Sequence, residues 1–212
     1  MKKESSLTTL IWSITYLALI VFVLLGAIVP RTSSVDALAP QNQRKSIEEA
    51  FTFTPQVRVT RLKIGSMERR FKEEFDESDD WPKRLSFEIE SIAAKPIVYL
   101  EVNLNFPETK SSGSMMSYPI KLGIRPDVKT SVTGEPLLLM PGDKLNINVS
   151  EHYEKLERFI SGRHPMNQIR RAQIEIGFII FQDGTAWAGD FMRPDPAKPG
   201  RYIPVGRSPQ NQ

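Results

Sequence analysis

The sequence predicts a mainly β protein: an antiparallel β-sandwich with one crossover helix, preceded by a single N-terminal transmembrane helix. An uninterrupted apolar run near the N-terminus indicates the membrane segment. Repeated alternation of apolar and polar residues through the later part of the chain indicates strands with one buried face. A single stretch with helical spacing accounts for the one helix inside the β domain.

Residues 10–29 form the apolar run, twenty positions without a charged side chain. A helix of that length is about 30 Å long and matches the hydrocarbon core of a bilayer. Lys2 and Lys3 precede it, and Arg31 is the nearest basic residue after it. The positive-inside rule therefore places residues 1–9 in the cytoplasm and the remainder outside. We expect an uncleaved signal anchor that crosses the cytoplasmic (inner) membrane once.

Cleavage and secretion is the alternative for this segment. Ala37, Leu38 and Ala39 have the small-x-small form of a signal-peptidase site, which would release the domain near Ala39. The apolar run is longer than the usual h-region of about 7–15 residues, and Pro40 would follow the cut. These two features favour the anchor. Both interpretations export the β domain.

Composition narrows the function classes. The chain has no cysteine, which excludes disulfides, thiolate metal sites and cysteine nucleophiles. Its 28 basic and 25 acidic residues are interspersed along the sequence. Nucleic-acid binding needs basic charge clustered on one face, so we expect no nucleic-acid partner.

The β domain is predicted over residues 51–194. Residues 30–50 are polar and without sustained periodicity, which predicts a linker with a short helix at Ser46–Ala50. Within the domain the alternating apolar positions are Val57, Val59, Leu62 and Ile64; Leu85, Phe87 and Ile89; Leu100, Val102, Leu104 and Phe106; Ile120, Leu122 and Ile124; and Leu145, Ile147 and Val149. The change of phase after Val59 indicates a β-bulge.

Two later stretches complete the predicted domain. Helical spacing over Tyr153–Ile160, with Ser150 as cap and Gly162 at the end, predicts the crossover helix. In the last long strand, Ile174, Ile176, Phe178 and Ile180 share one face, and Gly177, Ile179 and Phe181 share the other. Because both faces are apolar, this strand should be central or covered on both sides.

The stretch that follows contains the candidate partner-binding site. Asp183-Gly184 supplies the positive φ angles of a tight hairpin turn between two strands. Asp183, Gly184, Thr185 and Trp187 could form a ligand-binding loop tip. The competing interpretation is turn chemistry alone, with Trp187 packed back onto the sandwich edge, and we favour it.

Three motifs carry a resemblance to known proteins. Lys95–Phe106 (KPIVYLEVNLNF), followed by the Leu139–Asp143 turn and an alternating strand, resembles bacterial immunoglobulin-like sandwich domains on exported proteins. The Asp-Gly-Thr-x-Trp hairpin resembles groups of uncharacterised, membrane-anchored bacterial proteins. The likeness covers residues 55–195. It implies an immunoglobulin-like fold and an extracytoplasmic compartment, and it carries over no catalytic residue.

Other polar clusters have weaker functional interpretations. Six carboxylates at residues 73–80 would suit calcium, but they lack EF-hand spacing, which favours a solvated acidic loop. His152 and His164 are the only histidines, and no third ligand joins them in the sequence. The proline-rich tail at 195–212 predicts an extended edge strap or a disordered end, and a proline-rich docking peptide is the alternative.

These observations predict a non-catalytic, membrane-anchored interaction module on the extracytoplasmic side, with a protein partner at the hairpin tip or at a sheet edge. They indicate no cofactor, metal or small-molecule substrate. One alternative is an accessory structural subunit of a membrane complex, in which residues 10–29 pack against other helices. The other is an extracytoplasmic hydrolase, which rests only on scattered carboxylates such as Glu88, Glu101 and Asp190.

Overall fold

The computed structural model describes residues 44–52, 55–110, 114–126 and 135–205. The predicted anchor at 10–29 lies outside these residues, and within them no helix is long and apolar enough to cross a membrane. The strands are β1 (Lys45–Glu49), β2 (Val57–Ile64), β3 (Met67–Arg69), β4 (Glu74–Phe75), β5 (Leu85–Ser91), β6 (Ile97–Phe106), β7 (Met116–Gly123), β8 (Lys144–Asn148), β9 (Arg171–Phe181), β10 (Ala186–Trp187), β11 (Phe191–Pro194) and β12 (Tyr202–Pro204). The α-helix is α1 (Tyr153–Ser161), and short 3-10 helices occur at Trp81–Arg84, Pro107–Thr109, Val149–His152 and Met166–Gln168.

The strands form two sheets. The smaller sheet has the order β3-β2-β5-β8, with antiparallel pairs throughout. In the larger sheet β9 is central: β6 pairs along one edge, and β7 continues beyond β6. On its other edge β9 pairs with β1 near its start and with β10 near its end; β4 pairs with β1, and β11 and β12 extend outward from β10. The described part of the chain is therefore mainly β and forms two sheets, as predicted.

One apolar core joins the inner faces of the two sheets. In β6 the four alternating residues predicted to face inward are all fully buried, and so are the corresponding residues of β5. The bulge predicted in β2 is confirmed, because its register against β5 shifts between Val59 and Arg61. Alternation with period two thus identified the buried faces of these strands correctly.

Strand β1 corrects the helix predicted at Ser46–Ala50. The Ser46 amide donates to Arg170 (2.9 Å) and the Ala50 amide donates to Ile174 (2.8 Å), which makes β1 a parallel neighbour of β9. Ile47 is 1% exposed in the core. These long-range contacts outweigh the helical propensity of the local sequence. Strand β1 also lies inside the stretch predicted as linker, and it is the one parallel strand among the described pairs of an otherwise antiparallel fold.

A bulge in β9 corrects the predicted distribution of its side chains. Pairing with β6 shifts between Ile176 and Phe178, so that Gly177 is an extra residue. Ile174 and Ile176 contact the main core, but after the bulge Ile179 faces that core, and Phe178 belongs to a small cluster apart from it. The prediction that the strand is central is confirmed, whereas the prediction that Phe178 shares a face with Ile176 is wrong.

Within the described ranges one α-helix connects the two sheets, as predicted for a crossover. α1 follows β8 of the smaller sheet and precedes β9 of the larger one, and it buries Tyr153, Leu156 and Ile160. Its entry differs from the prediction: the Asn148 side chain accepts the Ser150 amide at the start of a 3-10 turn that leads into the helix. Phe159 remains 40% exposed on its outer side.

Part of the predicted tail belongs to the larger sheet. β12 pairs antiparallel with β11, with Arg193 opposite Ile203. This pairing agrees with an extended edge strap for Tyr202–Pro204, which lies beyond the predicted domain boundary at residue 194.

Candidate functional site

The hairpin tip, Gln182–Thr185, joins β9 to β10. The Gly184 amide donates to the Phe181 carbonyl and the Phe181 amide donates to the Thr185 carbonyl, each at 2.9 Å. Gly184 has φ +81°, whereas Asp183 has no positive φ. The prediction of positive φ at both residues is therefore wrong: one glycine supplies the left-handed conformation that this turn requires.

The polar side chains of the hairpin tip bond to each other and to one lysine. Asp183 accepts from the Thr185 amide (3.0 Å) and hydroxyl (2.6 Å), and from the Lys95 ammonium (2.6 Å). Lys95 also donates to the Thr185 hydroxyl at 3.2 Å. The Lys95 and Thr185 hydrogen bonds lower the pKa of the Asp183 carboxyl to about 2. These groups stabilise the turn, and a ligand would have to compete with existing bonds to reach them.

Trp187 is not at the tip's surface. It is 1% exposed and belongs to the main core, and its backbone pairs with Ile179 on one side and Phe191 on the other. The structure thus separates the four predicted site residues: Asp183, Gly184 and Thr185 build the turn, and Trp187 packs into the sandwich. Packing of Trp187 against the sandwich was the favoured prediction.

A different part of the molecule, strand β2, has one edge that is only partly paired. β2 pairs with β5 along nearly its whole length, but β3 covers its second edge only at Leu62–Ile64. Among the described strands none pairs with that edge over Val57–Arg61, which we call the β2 edge. Backbone donors and acceptors on such an edge can pair with another chain.

The first of two clefts beside the β2 edge is the Trp187 cleft, with a volume of about 350 Å³. Val57 and Val59 line it from the smaller sheet, and Ile174, Ile176 and Trp187 line it from the larger. The cleft therefore opens between the two sheets, at the margin of the apolar core. Its size is at the lower end of the range for ligand pockets.

The mouth of the Trp187 cleft is formed by less buried groups. Phe51 is 81% exposed there. Burial raises the pKa of the Glu49 carboxyl on the same rim. Lys72 has φ +65°, and among the described residues it is the non-glycine residue with a left-handed backbone. Its amide donates to the Ile47 carbonyl at 2.7 Å, a bond that holds this strained conformation in place.

The second cleft, the Arg70 cleft, has a volume of about 410 Å³. It lies between β2 residues 59–62 and the segment at 68–71, which leaves β3 for the larger sheet. Val59 lines both clefts, so they adjoin along the β2 edge.

Charge around the two clefts is mainly positive. Five cationic side chains and two carboxylates line them: Arg58, Arg61, Arg69, Arg70 and Lys72 against Glu49 and Glu68. Arg58 is bonded to Glu90, Arg61 to Glu68 and Arg69 to Glu73. Within the described part of the chain neither Arg70 nor Lys72 makes a salt bridge. When the partners Glu90 and Glu73 are included, five cations face four carboxylates, so the clefts combine an apolar lining with a small excess of positive charge.

Carboxylates of the acidic stretch at 73–80 form salt bridges with basic side chains. Glu74 pairs with Arg44, and Glu77 pairs with Arg84. Asp79 pairs with Arg170 at 3.0 Å and with the buried Lys45 at 3.6 Å. In the described ranges no group of three histidine, cysteine, aspartate or glutamate side chains could hold a metal ion.

The remaining candidates do not converge on a common centre. Glu88 lies on the smaller sheet, where it accepts from Thr60 (2.7 Å) and Lys144 (3.0 Å), and these two hydrogen bonds lower its pKa. Glu101 lies on the larger sheet and accepts from the Tyr99 hydroxyl at 3.1 Å. His152 has a pKa lowered by burial. The structure brings none of these groups together.

Comparison of the chain with known protein families, with curated proteins and with solved structures finds no match.

Sequence reasoning missed the β2 edge and both clefts. The alternation predicts that Val57 and Val59 face inward, but nothing in the neighbouring sequence shows that β3 is only three residues long. A short partner strand could have been suspected from Gly65, which interrupts the alternation just after Ile64 and so places a turn there.

Proposed function

We propose that the chain is a non-catalytic interaction module, anchored to the cytoplasmic membrane of a bacterium and displaying its β domain on the extracytoplasmic side. The apolar segment at 10–29 and the lysines before it support the anchor and its orientation. The partner in this proposal is a protein, bound at the β2 edge.

One observation carries the proposal: an unpaired strand edge lies beside an apolar cleft and excess positive charge. Unpaired edges are usually blocked or covered in proteins that do not use them. At the hairpin tip, by contrast, the polar groups already have partners and the indole is buried. The β2 edge therefore replaces the hairpin tip as the expected contact surface.

We propose that the β domain has the sandwich architecture of immunoglobulin-like domains, with a different strand order. Two packed sheets and the Leu139–Asp143 turn support it; that turn has Gly142 at φ +85° and the Asp143 amide bonded to Met140. The order differs from a constant-type immunoglobulin domain, because the first described strand, β1, is a parallel neighbour of β9, the longest strand, in one sheet.

Site-specific photo-crosslinking in intact cells tests the proposed function. A benzophenone amino acid would replace Phe51 at the mouth of the Trp187 cleft, Gln182 at the hairpin tip, or Phe159 on α1; all three are exposed. We expect an adduct with another protein from Phe51 and little from the other two. Equal adducts at the three positions, or none at any, would contradict the proposal.

A second variant separates an interaction module from an accessory subunit held by its membrane helix. Residues 10–29 would be replaced by an unrelated spanning helix. The Phe51 adduct should persist if the β domain makes the contact, and it should disappear if packing of the spanning helix holds the complex together.

A further inference from the structure

We propose that the β2 edge binds an extended, acidic peptide segment of the partner, which adds to the smaller sheet as a strand beside β2. This inference rests on the proposed function and specifies the chemistry of the partner. Strand addition draws affinity from backbone hydrogen bonds and specificity from pockets that take alternate side chains. Both elements are present at this edge.

The backbone of β2 offers room for such a strand. At about 3.4 Å per residue, Val57–Arg61 extends for roughly 17 Å. At one end of this stretch β3 pairs with Leu62, and beyond that pair the chain turns away through Arg70 and Phe71. The Arg70 cleft is the space left between β2 and this departing segment. An added strand would lie there in the plane of the smaller sheet.

The Trp187 cleft would receive side chains from the inner face of the added strand. Its lining is apolar: Val59 and Ile176 are partly buried and offer accessible surface, and Ile174 and Trp187, each 1% exposed, lie beneath them. Side chains of a strand alternate between its two faces. A segment with an apolar residue at every second position would therefore bury one or two of them against this lining.

The positive charge at the rim favours acidic side chains on the other face of the added strand. Positive side chains outnumber carboxylates along both clefts, and Arg70 and Lys72 make no salt bridge among the described residues. Glutamate or aspartate at the solvent-facing positions of the added strand would supply the missing partners. A second copy of this chain fits less well, because two β2 edges facing each other would place like charges together.

The test uses peptides of defined sequence and the full chain in lipid nanodiscs. The probe is an alternating Glu-Val peptide long enough to pair with Val57–Arg61. A Lys-Val peptide of equal length is the charge control, and a Glu-Val peptide with N-methylated amides on one edge is the backbone control. Isothermal titration calorimetry at low salt measures binding, because added salt screens charges beyond about 8 Å under physiological conditions.

We expect the Glu-Val peptide to bind at least about tenfold more tightly than either control. The double variant Arg70→Glu, Lys72→Glu should weaken its binding by about tenfold or more. Lys121→Glu, a charge reversal at an exposed position of β7, should change binding by less than about twofold. Circular dichroism and a thermal melt of each variant establish that the fold is kept.

Each other outcome overturns a stated part of the inference. Equal binding of the N-methylated peptide would exclude strand addition, and equal binding of the Lys-Val peptide would exclude acidic selectivity. If none of the peptides binds while the Phe51 crosslink to a protein is retained, the peptide chemistry is wrong and the interaction module stands. A peptide-sensitive dimer in sedimentation equilibrium would assign the edge to a second copy of the chain.

Discussion

The hairpin tip and the β2 edge differ in how far their polar groups are satisfied. At the hairpin tip Asp183 accepts three hydrogen bonds, and the strands on both sides are paired. At the β2 edge a stretch of five consecutive residues pairs with β5 on one side but with none of the described strands on the other. Among the described residues, Arg70 and Lys72 at the adjoining clefts make no salt bridge. Trp187, two residues after the hairpin tip, lies in β10 and lines the Trp187 cleft.

This difference shows why distinctive residues are not necessarily binding residues. Aspartate, glycine and threonine occur at the hairpin tip because the turn needs them, and once the turn forms their bonding capacity is used. Unused backbone hydrogen-bonding groups remain on β2 because its neighbour β3 ends early. The length of β3 depends on the path of the chain more than on residue type.

Trp187→Ala should produce the largest effect. Removing this buried side chain leaves a cavity in the core, and the free energy of unfolding should fall by about 3–5 kcal/mol. Urea denaturation followed by circular dichroism measures it. Phe51→Ala, at a side chain 81% exposed, is the control and should change stability by less than about 0.5 kcal/mol. A similar small change for Trp187 would mean that the indole is a surface group.

Asp183→Ala should have an intermediate effect. It removes the acceptor of three hydrogen bonds at an exposed site, so a loss of about 1 kcal/mol is expected. Asp183→Asn is the matched control, because its carbonyl can still accept from Thr185 and only the charged bond to Lys95 weakens. If Ala and Asn cost the same, the salt bridge and not the turn geometry stabilises the tip.

Lys72→Gly should stabilise the fold slightly. The native φ of +65° is unfavourable for lysine and free of strain for glycine, a gain that the larger chain entropy of unfolded glycine partly offsets. We expect a net gain of up to about 1 kcal/mol, seen as a higher Tm. Lys121→Gly, in strand β7, should instead destabilise. A lower Tm for Lys72→Gly would show that the lysine side chain contributes more than its backbone strain costs.

The pH dependence of the hairpin tip should be the smallest effect. Asp183 has a folded-state pKa of about 2 against an ordinary value of 3.8. Its contribution to stability is therefore fully present above pH 3.8 and is lost as the pH falls through 3.8 toward 2. Because Lys95 and Asp183 are both partly exposed, this contribution should stay below about 1 kcal/mol. The stability difference between the wild-type chain and Asp183→Asn, measured in urea at several pH values, should vanish at the acid end.

Much of the fold could be predicted because alternation reports burial directly. The inward residues of β5 and β6, the bulge in β2 and the crossover helix all follow from spacing. Strand β1 could not be predicted, since its parallel pairing with β9 lies in contacts more than a hundred positions away in sequence. The bulge in β9 could not be predicted either. Gly177 lies in a run of apolar residues, so the sequence does not show which of them face the core before and after it.

The candidate site was less predictable than the fold. That Asp183 and Gly184 form a turn follows from local chemistry, and so does the packing of Trp187. The β2 edge depends on three separate segments: β2, the departing chain at 68–71, and the end of β1 with Phe51. Periodicity in the sequence does not predict that these segments lie close together, because only folding brings them to one side of the sandwich.

Amide hydrogen exchange of the full chain in nanodiscs, with and without the Glu-Val peptide, distinguishes the β2 edge from the hairpin tip as the contact surface. We expect slower exchange at Val57–Arg61 on addition of the peptide and no change at Gln182–Thr185. Slower exchange at Gln182–Thr185 with none at Val57–Arg61 would contradict this expectation and return the contact surface to the hairpin tip.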